Sequence, residues 1–273
     1  MKRFEGILIC TDLDGTILRD DKTVSEENRE AIEYFKSEGG YFTFITGRMP
    51  YFAEDIYEMI KPNAPIGCIN GGGIYDFEKR EYLHTVSLPR TALELVHDAA
   101  CEIPEVGIQI VTFDKVYFSR ENDAMRVFRE ETGMPNTVKP YTEVTEPLAK
   151  VVFGDLSDSV IRRLDKFLTT HPKAEHYDFI RSDDMLYEIL PKGVSKGAVL
   201  PRLAKSLSVD MKRTVAIGDY DNDVTMLRTA GVGVAVGNAT AAAKAAADLV
   251  TVKNSEHAIA RLIYDIDEGK IRV

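Results

Sequence analysis

The chain predicts an α/β fold: a doubly wound, Rossmann-like parallel sheet core with an inserted α+β cap domain. Three observations predict it. Short apolar runs alternate with helix-period stretches over the first third of the chain, in the order β-α-β-α-β. The same alternation resumes after Pro191-Lys192-Gly193. Between them, from Leu88-Pro89 onward, strand pairs flanked by helices make a different pattern of about 100 residues, an ordinary domain size. The core is therefore assigned to residues 1–87 and 191–273, and the inserted domain to 88–190.

Each element has its own warrant. Residues 7–10 (ILIC) are a continuous apolar run, as expected of a strand buried on both faces. Thr23 or Ser25 can cap a helix to about residue 37, whose inner stripe is Ala31, Ile32 and Phe35. Gly39 and Gly40 stop it. Residues 41–46 make a second strand, 51–60 a helix, and 66–69 a third core strand leading into Asn70-Gly71-Gly72-Gly73. Residues 74–76 and 82–85 read as a hairpin. In the insert, helices are expected over 91–102, 121–131 and 159–169. Strands are expected over 106–112, 116–119, 150–155, 175–181 and 185–190. Residues 132–147 show no clear periodicity. The core then continues with a helix over 195–207, strands at 214–218 and 232–236, an Ala-rich helix at 240–247, an edge strand at 249–252 and a last helix over 256–268. A further short helix is expected over 223–229.

The totals narrow the function. Of 273 residues, 44% are apolar and 29% charged, as in ordinary globular proteins. No apolar run approaches the roughly 20 residues needed to cross a bilayer, and the N-terminus does not read as a signal peptide. Cys10, Cys68 and Cys101 are scattered, without CxxC spacing, which fits a reducing cytoplasm better than a disulfide framework or zinc site. A formal charge of −10 argues against a nucleic-acid surface.

In open α/β sheets, ligands bind beyond the carboxyl ends of the strands. The first expected strand is followed by Asp12, Asp14 and Gly15, the second by Thr46-Gly47-Arg48 and the third by Asn70-Gly71. The strand at 214–218 is followed by Asp219, Asn222 and Asp223. Lys196 stands in the first turn of the helix entering the second half of the core. Each cluster alone could be a turn or a helix cap. Together they put several carboxylates on one edge of one sheet, and a hard divalent cation with oxygen ligands is the natural compensation. Lys196 would suit a phosphate oxygen, and Thr46 and the Gly47 N–H could donate to others. Arg48 is either a ligand or a structural ion-pair partner. There is no GxxxxGK[ST] loop. The run from Asp219 lacks the glycine and glutamate of an EF-hand, and Gly231-Val232-Gly233 lacks the third glycine of a dinucleotide loop.

The run Asp12-Leu13-Asp14-Gly15-Thr16 resembles motif I of the haloacid dehalogenase-like (HAD) superfamily. Thr46 resembles its motif II, Lys196 its motif III, and Gly218-Asp219-x-x-Asn222-Asp223 its motif IV. NGGG at 70–73, EILPKGVSKG at 188–197 and GVAVGNA at 233–239 are similar to the Cof-type branch, whose cap is of C2B type. Gly72 and His257 depart from that branch, which often has alanine and glycine there.

The resemblance implies a Mg²⁺-dependent phosphatase acting on small phosphorylated metabolites, including sugar phosphates, with no nucleic-acid or membrane partner. It implies that Asp12 is the nucleophile, forming an aspartyl-phosphate. Asp14 is implied as general acid and then base, which asks for a raised pKa. Mg²⁺ is implied to sit on Asp12, the Asp14 main-chain carbonyl and Asp219, with Asp223 direct or through water. Leu13 N–H, Thr46, Gly47 N–H, Lys196 and Asn222 are implied to hold the phosphoryl oxygens. The cap is expected to close, exclude water and select the leaving group. A phosphomutase of the same superfamily and a catalytically idle metal-dependent regulatory protein are the alternatives. The second Asp of the pair speaks against the latter.

Overall fold

A computed structural model describes residues 2–273. The chain divides into two compact units, Met1–Thr85 with Ser195–Val273, and Val86–Val194. The first unit opens with β1 (Leu8–Thr11), α1 (Glu26–Ser37), β2 (Tyr41–Phe44), α2 (Glu54–Ile60), β3 (Ile66–Cys68), β4 (Gly73–Asp76) and β5 (Glu81–Thr85). The second unit holds α3 (Ala92–Glu102), β6 (Gly107–Thr112), β7 (Val116–Arg120), α4 (Asp123–Thr132), β8 (Leu148–Gly154), α5 (Asp158–Thr170), β9 (Tyr177–Asp183) and β10 (Leu186–Pro191). The first unit is completed by α6 (Lys196–Ser206), β11 (Thr214–Gly218), α7 (Val224–Thr229), β12 (Val232–Ala235), α8 (Ala241–Ala246), β13 (Leu249–Val250) and α9 (Ala258–Asp267).

The core sheet of the first unit has the order β13-β12-β11-β1-β2, and every pairing in it is parallel. β1 and β11 lie at its centre and are buried throughout, which is why both read as unbroken apolar runs. Ser25 caps α1, its Oγ accepting from Asn28 N at 3.2 Å, and Ala31, Ile32 and Phe35 are buried. Of the two caps considered from sequence, Ser25 is the one used.

The expected third core strand is placed differently. β3 belongs to an antiparallel sheet, β3-β4-β5, with the expected hairpin. It touches the parallel sheet through one bridge, Ile45 to Gly67, with Thr46 N donating to Gly67 O at 3.0 Å. Its apolar run is three residues long, too short for both a full parallel ladder to β2 and the pairing with β4. The hairpin takes the ladder because a tight turn costs less closure entropy than a longer connection.

The second unit is a five-stranded antiparallel sheet, β7-β6-β8-β10-β9. Alternate residues Ile108, Ile110, Val151, Phe153, Tyr187 and Ile189 face one side and pack with Leu95, Val96 and Ala99 of α3 and Ile161, Leu164 and Leu168 of α5. Lys150 and Glu188 form a buried ion pair at 2.8 Å, and Gln109 is buried beside Met134. The segment without periodicity runs beside β7, Phe118 N donating to Thr137 O at 2.9 Å. Among the described residues no helix is long and apolar enough to cross a membrane.

Phe153 is fully buried in the core of the second unit. Phe153→Ala is expected to destabilise that unit by about 3–5 kcal/mol through lost burial and the cavity left behind. Chemical denaturation followed by near-UV circular dichroism checks this, and a loss under about 1 kcal/mol would contradict the packing.

Candidate active site

Strand order decides where the site lies. β1 and β11 are neighbours, yet the chain leaves them in opposite directions: β1 leads through α1 to β2, and β11 through α7 to β12. Parallel crossovers are right-handed, so α1 and α7 take opposite faces and a crevice opens beyond the carboxyl ends of β1 and β11. Asp12 is the first residue past β1, and Asp219 the first past β11. They are held in step by Asp12 N donating to Ile217 O at 2.9 Å.

Past Asp12 the chain makes one wide turn, closed by Leu18 N donating to Leu13 O at 2.9 Å. The Leu13 side chain anchors it in the core. Gly15 has φ +74°, and a Cβ there would lie 2.3 Å from Asp219 Oδ2. A side chain is therefore excluded by both backbone and space. Thr16 Oγ1 donates to Asp219 Oδ1 at 2.8 Å, and Asn238 Nδ2 donates to Gly15 O at 2.8 Å.

Lys196 ties the carboxylates together. It is the first residue of α6, a helix capped by Ser195 Oγ, which accepts from Ala198 N at 3.1 Å. Gly71, at φ +97°, lets the glycine-rich loop close on this cap, since a Cβ there would lie 2.1 Å from Ser195 O. Lys196 is 1% exposed, and its Nζ donates to Asp12 Oδ1 at 2.6 Å and to Asp223 Oδ1 at 2.7 Å. The other Asp223 oxygen accepts from Asp219 N at 2.9 Å and Tyr220 N at 3.1 Å. Asp223 is thus both a cap for its loop and a member of the cluster. Asp12, Asp219 and Asp223 each offer an oxygen within 4.8 Å of the others.

Three carboxylates face one ammonium. Burial raises Asp12 well above the usual carboxylate range; Lys196 opposes this, while Asp223 and Asp219 add to it. Burial and the charge of Asp223 push Asp219 up to about 7, against Thr16 and Lys196. Burial alone would lower Lys196, but Asp12 and Asp223 outweigh it and keep the ammonium charged. Asn222 Oδ1 is buried with no hydrogen-bond partner, while its Nδ2 donates to Asn70 Oδ1 at 3.2 Å. An all-oxygen donor set, excess negative charge and an acceptor left without a donor fit a hard divalent cation.

Asp14 departs from expectation. Its side chain lies outside the carboxylate cluster. Arg48 grips it at both oxygens, Nε at 2.8 Å and Nη2 at 2.7 Å, and Lys22 Nζ adds a bond at 3.0 Å. Burial would raise Asp14, but these cations outweigh it and hold the carboxyl at about 2, not above the usual range. The raised pKa expected from its implied role gives way to the cations that folding brings to it. At rest Arg48 is an ion-pair partner of Asp14. Thr46 is buried, its Oγ1 accepting from Arg48 N at 3.2 Å and its carbonyl from Asn70 N at 3.0 Å. Gly47 abuts Asn70, where a Cβ would lie 3.1 Å from Oδ1. Thr16, Lys22 and Asn238 were not foreseen. Thr16 and Asn238 stand inside the motif stretches quoted from sequence, but nothing there shows which way they point.

Residues 9–263 match the family of haloacid dehalogenase-like hydrolases. The chain belongs to this family. YxeH of Bacillus subtilis (strain 168), called a putative phosphatase, is 29% identical, with 95% of this chain and 97% of YxeH covered. YitU of the same organism, called a 5-amino-6-(5-phospho-D-ribitylamino)uracil phosphatase, is 30% identical, with 94% and 96% covered. YbhA of Escherichia coli (strain K12), called a pyridoxal phosphate phosphatase, is 28% identical, with 94% and 97% covered. A haloacid dehalogenase-like hydrolase from Bacteroides thetaiotaomicron shares the fold at TM-score 0.82 and 25% identity, covering 96% of this chain and 100% of that one. This HAD chain is an enzyme of phosphatase type, with the parallel core and additional antiparallel sheet of its structural relatives.

Gly15→Ala is expected to displace Asp219 and weaken divalent-cation binding about 10–100-fold, as loss of support around a metal ligand does. Calorimetric titration of cation into chelator-treated protein checks this; unchanged affinity would contradict the close approach. A pH effect follows from Asp219. Its folded pKa of about 7 exceeds the unfolded value of 3.8, so between these the folded chain holds the extra proton. Stability of the cation-free protein therefore falls as pH rises through that window. Asp14, lowered, acts only below 3.8. A divalent metal chloride is expected to raise Tm more at pH 8 than at pH 5.5, and equal shifts would contradict the assignment.

Proposed function

We propose that this hydrolase removes the phosphoryl group from small phosphorylated metabolites, sugar phosphates among them, in a Mg²⁺-dependent reaction through an aspartyl-phosphate on Asp12. The observation that carries this is the convergence of Asp12, Asp219 and Asp223 at the carboxyl ends of adjacent strands, with Lys196 bonded to Asp12 and Asp223. Asp12, the Asp14 main-chain carbonyl and Asp219, with Asp223 directly or through water, would hold Mg²⁺, which would supply charge neutralisation for the phosphoryl group.

The chain's own residues do the rest. The Asp12 carboxylate attacks phosphorus and the ester P–O bond breaks. Lys196, Thr46, Asn222 and the N–H groups of Leu13 and Gly47 orient the phosphoryl oxygens and spread their charge. Asp14 gives a proton to the leaving oxygen. It then takes one from the water that attacks the aspartyl-phosphate, which regenerates Asp12 and releases phosphate. In the grip of Arg48 and Lys22 Asp14 is ionised, so it takes up a proton only as that grip loosens. An anionic substrate competing for the same cations favours both changes. The relatives' names support hydrolysis over transfer between sugar positions, and two of those names specify small phosphorylated metabolites. Selection of the leaving group falls to the inserted unit, 88–190 as read from sequence. The three free cysteines support a cytoplasmic setting.

Asp12→Asn is expected to lower kcat for 4-nitrophenyl phosphate with Mg²⁺ by at least about 10³-fold without changing the circular dichroism spectrum. Parent-like turnover would end the nucleophile assignment. In single-turnover release of the leaving alcohol, Asp14→Asn is expected to cost little with that activated ester and about 10²–10⁴-fold with alkyl phosphates, whose leaving oxygens need the proton, while the lost base slows the later hydrolysis step with both. An equal loss in the release step with both esters would indicate damage to the cation site instead.

A further inference from the structure

At the amino ends of β1 and β11, the ends away from Asp12 and Asp219, the first unit carries an open cleft of about 640 Å³. This is within the usual range for small-molecule sites, about 300–1,000 Å³. Phe4, Ile7 and Ile266 give it an apolar floor. Arg3 lines it too, but is already neutralised: its guanidinium meets both Asp267 oxygens at 2.9 and 2.8 Å. Asp267 is the one acidic side chain in the lining, and Tyr34 OH donates to it as well, at 3.1 Å.

Two guanidiniums remain. Arg213 is anchored by neutral acceptors, Nε to Gly6 O at 3.2 Å and Nη2 to Glu5 O at 3.0 Å. Arg272 is exposed, and among the described residues its side chain makes no hydrogen bond. Among the described residues neither has a carboxylate within ion-pair distance. The chain has 44 acidic residues against 34 Lys and Arg, so acidic partners are in surplus. Two arginines that share a cleft and lack such partners leave a local positive field over an apolar floor. Guanidinium forks match planar anions, and the floor would receive an apolar body.

We propose that this cleft is a second ligand site, for a small amphipathic anion such as an aryl or acyl carboxylate. Arg213 and Arg272 hold the anionic head, and Phe4, Ile7 and Ile266 receive the apolar part. The site is separate from the carboxylate cluster and does not depend on the phosphatase reading.

Calorimetric titration with 4-phenylbutyrate tests it, with 4-phenylbutanol as the uncharged control. The acid is expected to bind once per chain in the millimolar range or tighter. Arg272→Gln, which removes no internal bond, and Arg213→Lys are each expected to weaken binding about tenfold, the scale of one charge-assisted hydrogen bond. Asp12→Asn is expected to bind as the parent does. No saturable binding by the parent, equal binding of acid and alcohol, unchanged affinity in Arg272→Gln, or loss in Asp12→Asn would each overturn the proposal.

Discussion

One buried ammonium makes the arrangement possible. At an effective dielectric of 20, two like charges 4 Å apart repel by about 4 kcal/mol, and three carboxylates lie within about that distance here. Lys196 offsets part of this by bonding to Asp12 and Asp223 together. Burial, together with the repulsion that Lys196 leaves over, raises Asp12 and Asp219 and makes the cluster receptive to a further cation. The position of Lys196 is not adjustable. α6 is pressed between the Gly71 loop on one side and α7 on the other, where a Cβ on Gly197 would lie 2.5 Å from Thr225 O.

Topology explains why residues more than 200 positions apart form one site. Asp12 and Asp219 share a crevice because β1 and β11 are hydrogen-bonded neighbours whose crossovers diverge. The chain leaves the first unit after Thr85 and re-enters it at Ser195. Compact domains tolerate insertion in connecting segments, where little backbone hydrogen bonding is disturbed. Both halves of the site therefore survive a long excursion between them.

Asp14 shows how sequence distance misleads about charge. Read along the chain, it belongs with Asp12. In space its side chain belongs with Arg48 and Lys22, which hold it ionised. The same fork accounts for the arginine that follows Thr46-Gly47. The proposed reaction asks this carboxyl to carry a proton, yet at rest its cations hold it without one.

The core strands β1, β2, β11 and β12, the insert and the polar clusters at strand ends were legible in the sequence. Apolar runs, helix periodicity and turn residues are local signals, set by burial on one or both faces. The Asp-x-Asp-Gly-Thr run, Thr46, Lys196 and the Gly218–Asp223 loop could be placed on elements before any contact was known. Tertiary structure alone decided that β3 pairs into a hairpin sheet, that Arg48 and Lys22 take Asp14, and that Asn70 takes the Asn222 amide. It alone showed Thr16 and Asn238 supporting the loop around Asp219. These are choices among partners, and a partner's approach depends on the packing of whole elements rather than on spacing along the chain.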